Sequence, residues 1–180
     1  MMLHTIHFIC PVTANSVSQL QNHCLAALSQ GATEINIHIS SRGGETDYGF
    51  AAYSFLKSLP VTVRTFNLSN VESIANIIFL AGKERFATDN SRFLLHPLSW
   101  SFGVASIDHS RLSEMSKCLD NDFERFVQIL KTEISGDYNW SDIIKSATIL
   151  TPKEALSHNV INEITTVSLS SGGANWFVSC

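Results

Sequence analysis

Within its first 82 residues the chain alternates three times between a short strand-like run and a helix-like one. Ile6 to Cys10 reads as a strand that Pro11 ends, and Val17, Leu20, Cys24, Ala27 and Leu28 then recur at helical spacing up to Gly31, a natural residue just past a helix end. Ile35 to Ser40 alternates apolar and polar, which predicts a second strand with His38 facing away from the isoleucines and partly exposed. Tyr48, Ala51, Ala52, Phe55 and Leu56 form the apolar stripe of a second helix, stopped by Pro60. Val61 to Asn67 predicts a third strand. Such alternation calls for parallel strands joined by right-handed crossovers, an α/β domain. Ligands of such sheets bind beyond the carboxyl ends of the strands. The turns at Gly43-Gly44 and at Ser73 both stand at such ends, so the fold class itself brings them near each other.

The third strand runs into Leu68-Ser69-Asn70-Val71-Glu72-Ser73, and the apolar run Ile74 to Leu80 follows at once, closed by Ala81-Gly82. That order sets a hydroxyl at the start of a buried helix, where backbone N–H groups lack intrahelical partners. Those donors could stabilise a negative oxygen formed beside Ser73. The alternative is a serine that simply caps the helix.

Beyond Gly82, Glu84–Ala87 and Arg92–His96 predict two short strands joined by Thr88 to Ser91. Leu112, Met115, Leu119, Phe123, Phe126, Val127, Leu130 and Ile134 mark one long helix, about 107–135. At 1.5 Å per residue it runs roughly 40 Å. It either projects, with Leu119, Phe123, Phe126 and Leu130 buried against a second copy, or lies on the sheet. Trp140 to Lys145 predicts a short helix, and Thr151-Pro152-Lys153-Glu154 is a capping box that starts another. Val160 to Ile164 predicts a last strand. These elements form a single domain over 1–164. The tail 165–180 is expected to be mobile or to dock on a neighbouring molecule.

Composition narrows the function. Apolar residues make 44% of the chain and charged residues 16%, as in an ordinary folded domain. A net charge of -4 without a Lys/Arg cluster argues against nucleic-acid and anionic-membrane partners. The first residues lack the pattern of a signal peptide, and the longest apolar run is too short to span a bilayer. Cys10, Cys24, Cys118 and Cys180 are scattered, which suggests reduced thiols in a cytoplasmic protein. No histidine spacing suggests a metal site, and no cofactor is expected.

Four segments, in order and spacing, resemble the proteolytic subunit of the ATP-dependent Clp protease, on the ClpP/crotonase fold of repeated β-β-α and βα units with a projecting handle helix. Its strand and Ser-Pro-Gly-Gly turn appear as Ile35 to Gly44. Its Gln-Ala-Ala-Ser-Met-Gly segment before an apolar helix appears as Asn70 to Ala75, running on to Gly82. Its Asn-Ser-Arg-x-x-x-His appears as Asn90 to His96, and its closing Leu-(Ser/Thr)-x-x-Glu-Ala as Leu150 to Ala155. The resemblance covers about residues 6 to 164. It implies a serine peptidase in which Ser73 is the nucleophile, His96 the general base and the N–H groups of Gly44 and Ile74 the oxyanion hole. It also implies a heptameric ring or double ring zipped by the long helix, a polypeptide substrate and an ATPase unfoldase as partner.

Four departures from the family pattern stand out. The third triad member, an aspartate, would fall on Ala147, and Asp142, then Asp137, are the nearest carboxylates. Losing the orienting acid of such a triad can cost about 10⁴ in kcat. Glu72 replaces a small residue before the serine, either resting at the helix start or turning into the site. Arg42 replaces the turn proline and is either a solvated turn residue or a partner for Glu72 or a substrate carboxylate. The chain begins close to its first strand, so the family's axial loop is expected to be absent, which leaves ATPase docking open. Three functions therefore compete: a Clp-like serine peptidase, a non-catalytic homologue that assembles as a subunit, and a crotonase-type acyl-CoA enzyme using the oxyanion hole alone.

Overall fold

The computed structural model describes residues 2–101, 103, 106–169 and 173–180. Its elements are β1 (Leu3–Phe8), α1 (Ala14–Ser29), β2 (Glu34–Ser41), α2 (Thr46–Ser58), β3 (Thr62–Glu72), α3 (Ala75–Leu80), β4 (Glu84–Ala87), β5 (Arg92–Leu95), α4 (His109–Glu133), α5 (Trp140–Lys145), β6 (Thr148–Leu150), α6 (Pro152–Ser157), β7 (Glu163–Ile164) and β8 (Asn175–Phe177). All strands join one sheet, in the order β6-β5-β3-β2-β1-β8, with β4 on the lower half of β3 and β7 beyond β4. Every pairing is parallel except β5 with β6. Because β1, β2 and β3 follow one another in one direction across the sheet, right-handed crossovers put α1 and α2 on the same face. The core between that face and the helices holds Ile6, Phe8, Ile35, Ile37, Ile39, Ile77 and Phe79.

The other face carries an aromatic ladder across five strands. Phe177 stacks on His7 at 4.4 Å between centroids, His7 meets His38 at 4.9 Å, His38 meets Phe66 at 5.2 Å, and Phe66 stacks on Phe86 at 4.6 Å. His38 is therefore not partly exposed, as its alternating strand predicts, but 2% exposed. A central parallel strand is covered on both faces, so alternation does not report exposure there. Burial, with a smaller contribution from His7, pushes the His38 imidazole down to about 4.

The long helix divides. Phe126, Val127 and Leu130 are buried in the chain's own core, so Phe126 and Leu130 are not free for a second copy. Toward its start, Leu112 is 50% exposed and Leu119 only half-buried. The expected tail differs as well: its residues 170–172 lie outside the described residues, but Asn175–Phe177 form β8 on the chain's own β1. The last predicted strand shrinks to Glu163–Ile164, while α5 and the Thr151–Glu154 capping box stand where the sequence puts them. No helix among the described residues is long and apolar enough to cross a membrane.

Candidate active site

The site is assembled at the upper end of β3. Glu72 pairs with Leu94 in the β3–β5 register, and the next N–H, that of Ser73, donates to Leu94 O at 2.9 Å. Two residues beyond Leu94, past the end of β5, stands His96. Asn76, almost fully buried in the first turn of α3, donates its side-chain amide to both Ser73 O and Leu94 O at 2.9 Å. One side chain thus ties the serine's turn to the histidine's strand.

Ser73 does not cap the helix. Ile74 is the N-cap residue, in right-handed geometry, and Ser73 sits before it at φ +54°. A left-handed conformation costs an L-residue about 1–2 kcal/mol, so the surrounding structure must impose it. The sharp strand-to-helix turn holds the hydroxyl away from the backbone, and among the described residues the Ser73 Oγ has no hydrogen-bond partner.

The Gly43-Gly44 turn presses on the same spot. Gly43 sits at φ +88°, its N–H donating to Ser41 Oγ at 3.2 Å, and a Cβ on it would fall 2.7 Å from Ser73 Cβ. A Cβ on Gly44, at φ +153°, would fall 2.2 Å from Val12 O. Val12 N–H donates to Gly43 O and Glu45 N–H to Val12 O, both at 2.9 Å, and these bonds pin the turn to the segment after β1. The N–H groups of Gly44 and Ile74 find no acceptor among the described residues. Two free amides beside a hydroxyl are what an oxyanion needs.

The histidine side is built differently. His96 Nδ1 lies 2.8 Å from Pro97 O, the geometry of a ring N–H donating to a carbonyl. No hydrogen bond joins His96 to Ser73, Asp142 or Asp137 among the described residues. Asp142 instead accepts from the Asn139 side-chain amide at 2.6 Å in the first turn of α5, and Asp137 lies exposed between α4 and α5. The antiparallel pairing of β5 with β6 sets Leu95 opposite Thr148, so one step further sets His96 opposite Ala147. Ala147 holds φ +50°, a conformation in which Asp and Asn are favoured over alanine.

Glu72 does not pair with Arg42, which is exposed. Its carboxylate accepts from Arg92 on the neighbouring strand, at 2.7 Å from Nη2 and 3.2 Å from Nε. Beside Gly44 a cavity of about 580 Å³ opens between the start of α2, the Ser99–Ser101 segment and α4, lined by Thr46, Trp100, Asp122 and Arg125 among others. Sequence reasoning named Ser73, His96, Gly44 and Ile74 as candidates. It missed Asn76, whose only signal is a lone amide in an apolar run, and the Arg92 partner of Glu72, which lies across two strands.

The Clp protease family profile matches residues 2–168. This chain belongs to the Clp protease family. It is 36% identical over 100 residues to the ATP-dependent Clp protease proteolytic subunit of Paracoccus denitrificans, covering 54% of this chain and 50% of that protein. It is 39% identical over 93 residues to proteolytic subunit 2 of Borreliella burgdorferi, covering 48% and 47%. The chain thus spans about half the length of the curated relatives it matches. A solved structure of a ClpP1 mutant from Listeria monocytogenes superposes with a TM-score of 0.81, covering 91% of each chain at 20% identity, which shows the shared fold. Within this Clp protease family member, His96 follows the end of β5 and the Gly43-Gly44 turn follows the end of β2, both at carboxyl ends of parallel strands.

Proposed function

We propose that this chain is a serine peptidase that cleaves peptide bonds through an acyl-enzyme. Ser73 attacks the carbonyl, His96 takes its proton through Nε2, and the Gly44 and Ile74 amides hold the oxyanion. The observation that carries the reading is the strained Ser73 turn with two unpaired amides beside it. Pro97 O, by accepting from Nδ1, selects the imidazole tautomer whose Nε2 is free to act as base. Asp142, the sequence's candidate for the third role, is held by Asn139 rather than by His96, so Asp142→Ala is expected to leave peptide cleavage unchanged. Peptide substrate enters by the cavity beside Gly44. The exposed Leu112 and half-buried Leu119 at the start of α4 support self-association in an oligomeric chamber; the ATPase partner stays open.

A second reading has one observation in its favour. Ala147 opposite His96 leaves the imidazole without a carboxylate, as in a subunit that assembles without cleaving. Fluorophosphonate labelling separates the two. Modification of the native chain but not of Ser73→Ala supports the peptidase; absence of labelling in every assembly state overturns it in favour of the inert subunit. Turnover of a short-chain enoyl-CoA would point to acyl-CoA chemistry instead.

A further inference from the structure

The β8 strand docks beside β1 with Thr5 opposite Asn175, Ile6 opposite Trp176 and His7 opposite Phe177. The ladder goes on past its last regular pair, since Val178 N–H donates to His7 O at 3.0 Å. Counting on in the same parallel register sets Phe8 opposite Val178, Ile9 opposite Ser179 and Cys10 opposite Cys180. The contacts agree with the count. Cys180 Sγ lies 3.7 Å from Ile9 O, the carbonyl just before Cys10. Gln19 of α1 clamps the same stretch with two bonds, accepting from Ser179 N–H at 2.9 Å and donating to Ser179 O at 3.1 Å. Cys10 and Cys180 also share a face. Ile6, Phe8 and Cys10 point toward α1, as does Trp176, which stacks on His23 of that helix at 5.3 Å, and Cys180 follows Trp176 at even spacing.

Neighbouring parallel strands lie about 4.8 Å apart, within the roughly 4.4–6.8 Å between Cα atoms that a disulfide spans. Both thiols are free in this structure, Cys10 buried and Cys180 exposed. We propose that Cys10 and Cys180 are an oxidisable dithiol that a hydroperoxide converts to an intramolecular disulfide, fastening the tail strand to the sheet edge. The exposed thiol reacts first: Cys180 sulfur attacks the peroxide oxygen, the O–O bond breaks, and a sulfenic acid and an alcohol or water result. Cys10 sulfur then attacks the sulfenyl sulfur, the S–O bond breaks, and water leaves with the Cys10 proton. In sum, two thiols lose two electrons and two protons to one hydroperoxide. Burial, together with the facing Cys180, pushes the Cys10 thiol up to about 12, so the exposed Cys180 is the thiol that meets the peroxide first. Cys24, buried on α1, and Cys118, exposed on α4, lie on helices outside the register that aligns Cys10 with Cys180.

The inference is independent of the peptidase reading, and Ser73→Ala should not alter it. The test treats the full chain with hydrogen peroxide, blocks remaining thiols, and maps the digest by mass spectrometry. The expected result is a monomeric product about 2 Da lighter, a linked peptide whose fragments place the bond at Cys10 and Cys180, and a Tm raised by about 5–15 °C that a reductant reverses. Cys180→Ser, at an exposed position, should fold normally and show neither the link nor the rise. Sulfinic or sulfonic acid on Cys180 without a linked peptide would overturn the proposal, as would a link confined to Cys118 of two copies. A linked chain whose Tm does not move would overturn the fastening.

Discussion

On the serine side of the candidate site, backbone does nearly all the positioning. Ser73 is forced to φ +54°, Gly43 and Gly44 pack where no Cβ fits, and Asn76 locks the turn to β5. On the histidine side, one strand over, the imidazole rests on the carbonyl of the next residue, and continuing the β5–β6 register by one step sets an alanine, Ala147, opposite it. A nucleophile turn and an oxyanion cradle are properties of the fold, so they persist as long as the fold does. An orienting acid is a single side chain, and one substitution removes it. Under the proposed peptidase reading, the contrast would leave the chain most of its electrostatic stabilisation and remove part of its proton-transfer machinery.

The largest expected effect falls on the backbone side. Gly44→Ala drives a methyl to 2.2 Å of Val12 O and should either prevent stable folding or lower cleavage by about 10²–10³. Gly43→Ala and Gly31→Ala make a matched pair, since the two glycines sit at φ +88° and +83°. The methyl on Gly31 meets nothing within 4 Å, whereas that on Gly43 meets Ser73. Both should lose about 1–2 kcal/mol of stability by denaturant titration from φ alone. Only Gly43→Ala should also lose activity; equal activity in the two would break the claim that this turn shapes the site.

The next effect is a gain. Ala147→Asp puts a carboxylate opposite His96 in a conformation that suits aspartate better than alanine. Peptidase kcat/KM is expected to rise about 10–10³-fold, with stability unchanged or slightly higher. A rise under about threefold would mean that Pro97 O already fixes the tautomer, and the histidine side would then be complete in its own way.

How much of this stands in the sequence follows the same division. The alternation of strands and helices, the span of α5 and the Thr151–Glu154 box are local patterns, and local patterns are readable. Ser73, His96 and the diglycine turn are readable because the fold class puts strand ends together. The left-handed turn at Ser73, the Ala147 position facing His96, and β8 on β1 depend on cross-strand register, which no single segment encodes. His38 misleads for a related reason: polarity along a strand reports exposure only when one face is open.

Acid pH would blur any comparison of activities, because the fold itself weakens. The folded His38 stays neutral down to about 4, while the unfolded imidazole takes a proton near 6.5. The unfolded chain thus binds more protons in that window. The stability tied to His38 is complete above about pH 6.5 and is lost as pH falls toward 4, by about 2–3 kcal/mol. Denaturant titrations from about pH 7 to pH 4 should show this slope, and His38→Phe should flatten it. Activity lost in parallel with that slope would belong to the fold and not to His96.

The smallest effect concerns the pair that joins the two sides, Glu72 on β3 and Arg92 on β5. The Glu72 side chain is 10% exposed and that of Arg92 53%, so the partners are not equivalent. Arg92→Ala leaves a nearly buried carboxylate without its cation next to the nucleophile, whereas Glu72→Ala leaves an exposed guanidinium that water can solvate. Removing the cation should therefore cost more stability, about 1–2 kcal/mol against 0–1, because an uncompensated buried charge is the expensive product. It should also lower kcat several-fold, since a free negative charge beside Ser73 opposes the developing oxyanion. The double variant, lacking both charges, should recover most of the lost kcat. Were it instead to stay as slow as Arg92→Ala, the arginine would act on substrate directly, and the line between the two sides of the site would have to be drawn through Arg92.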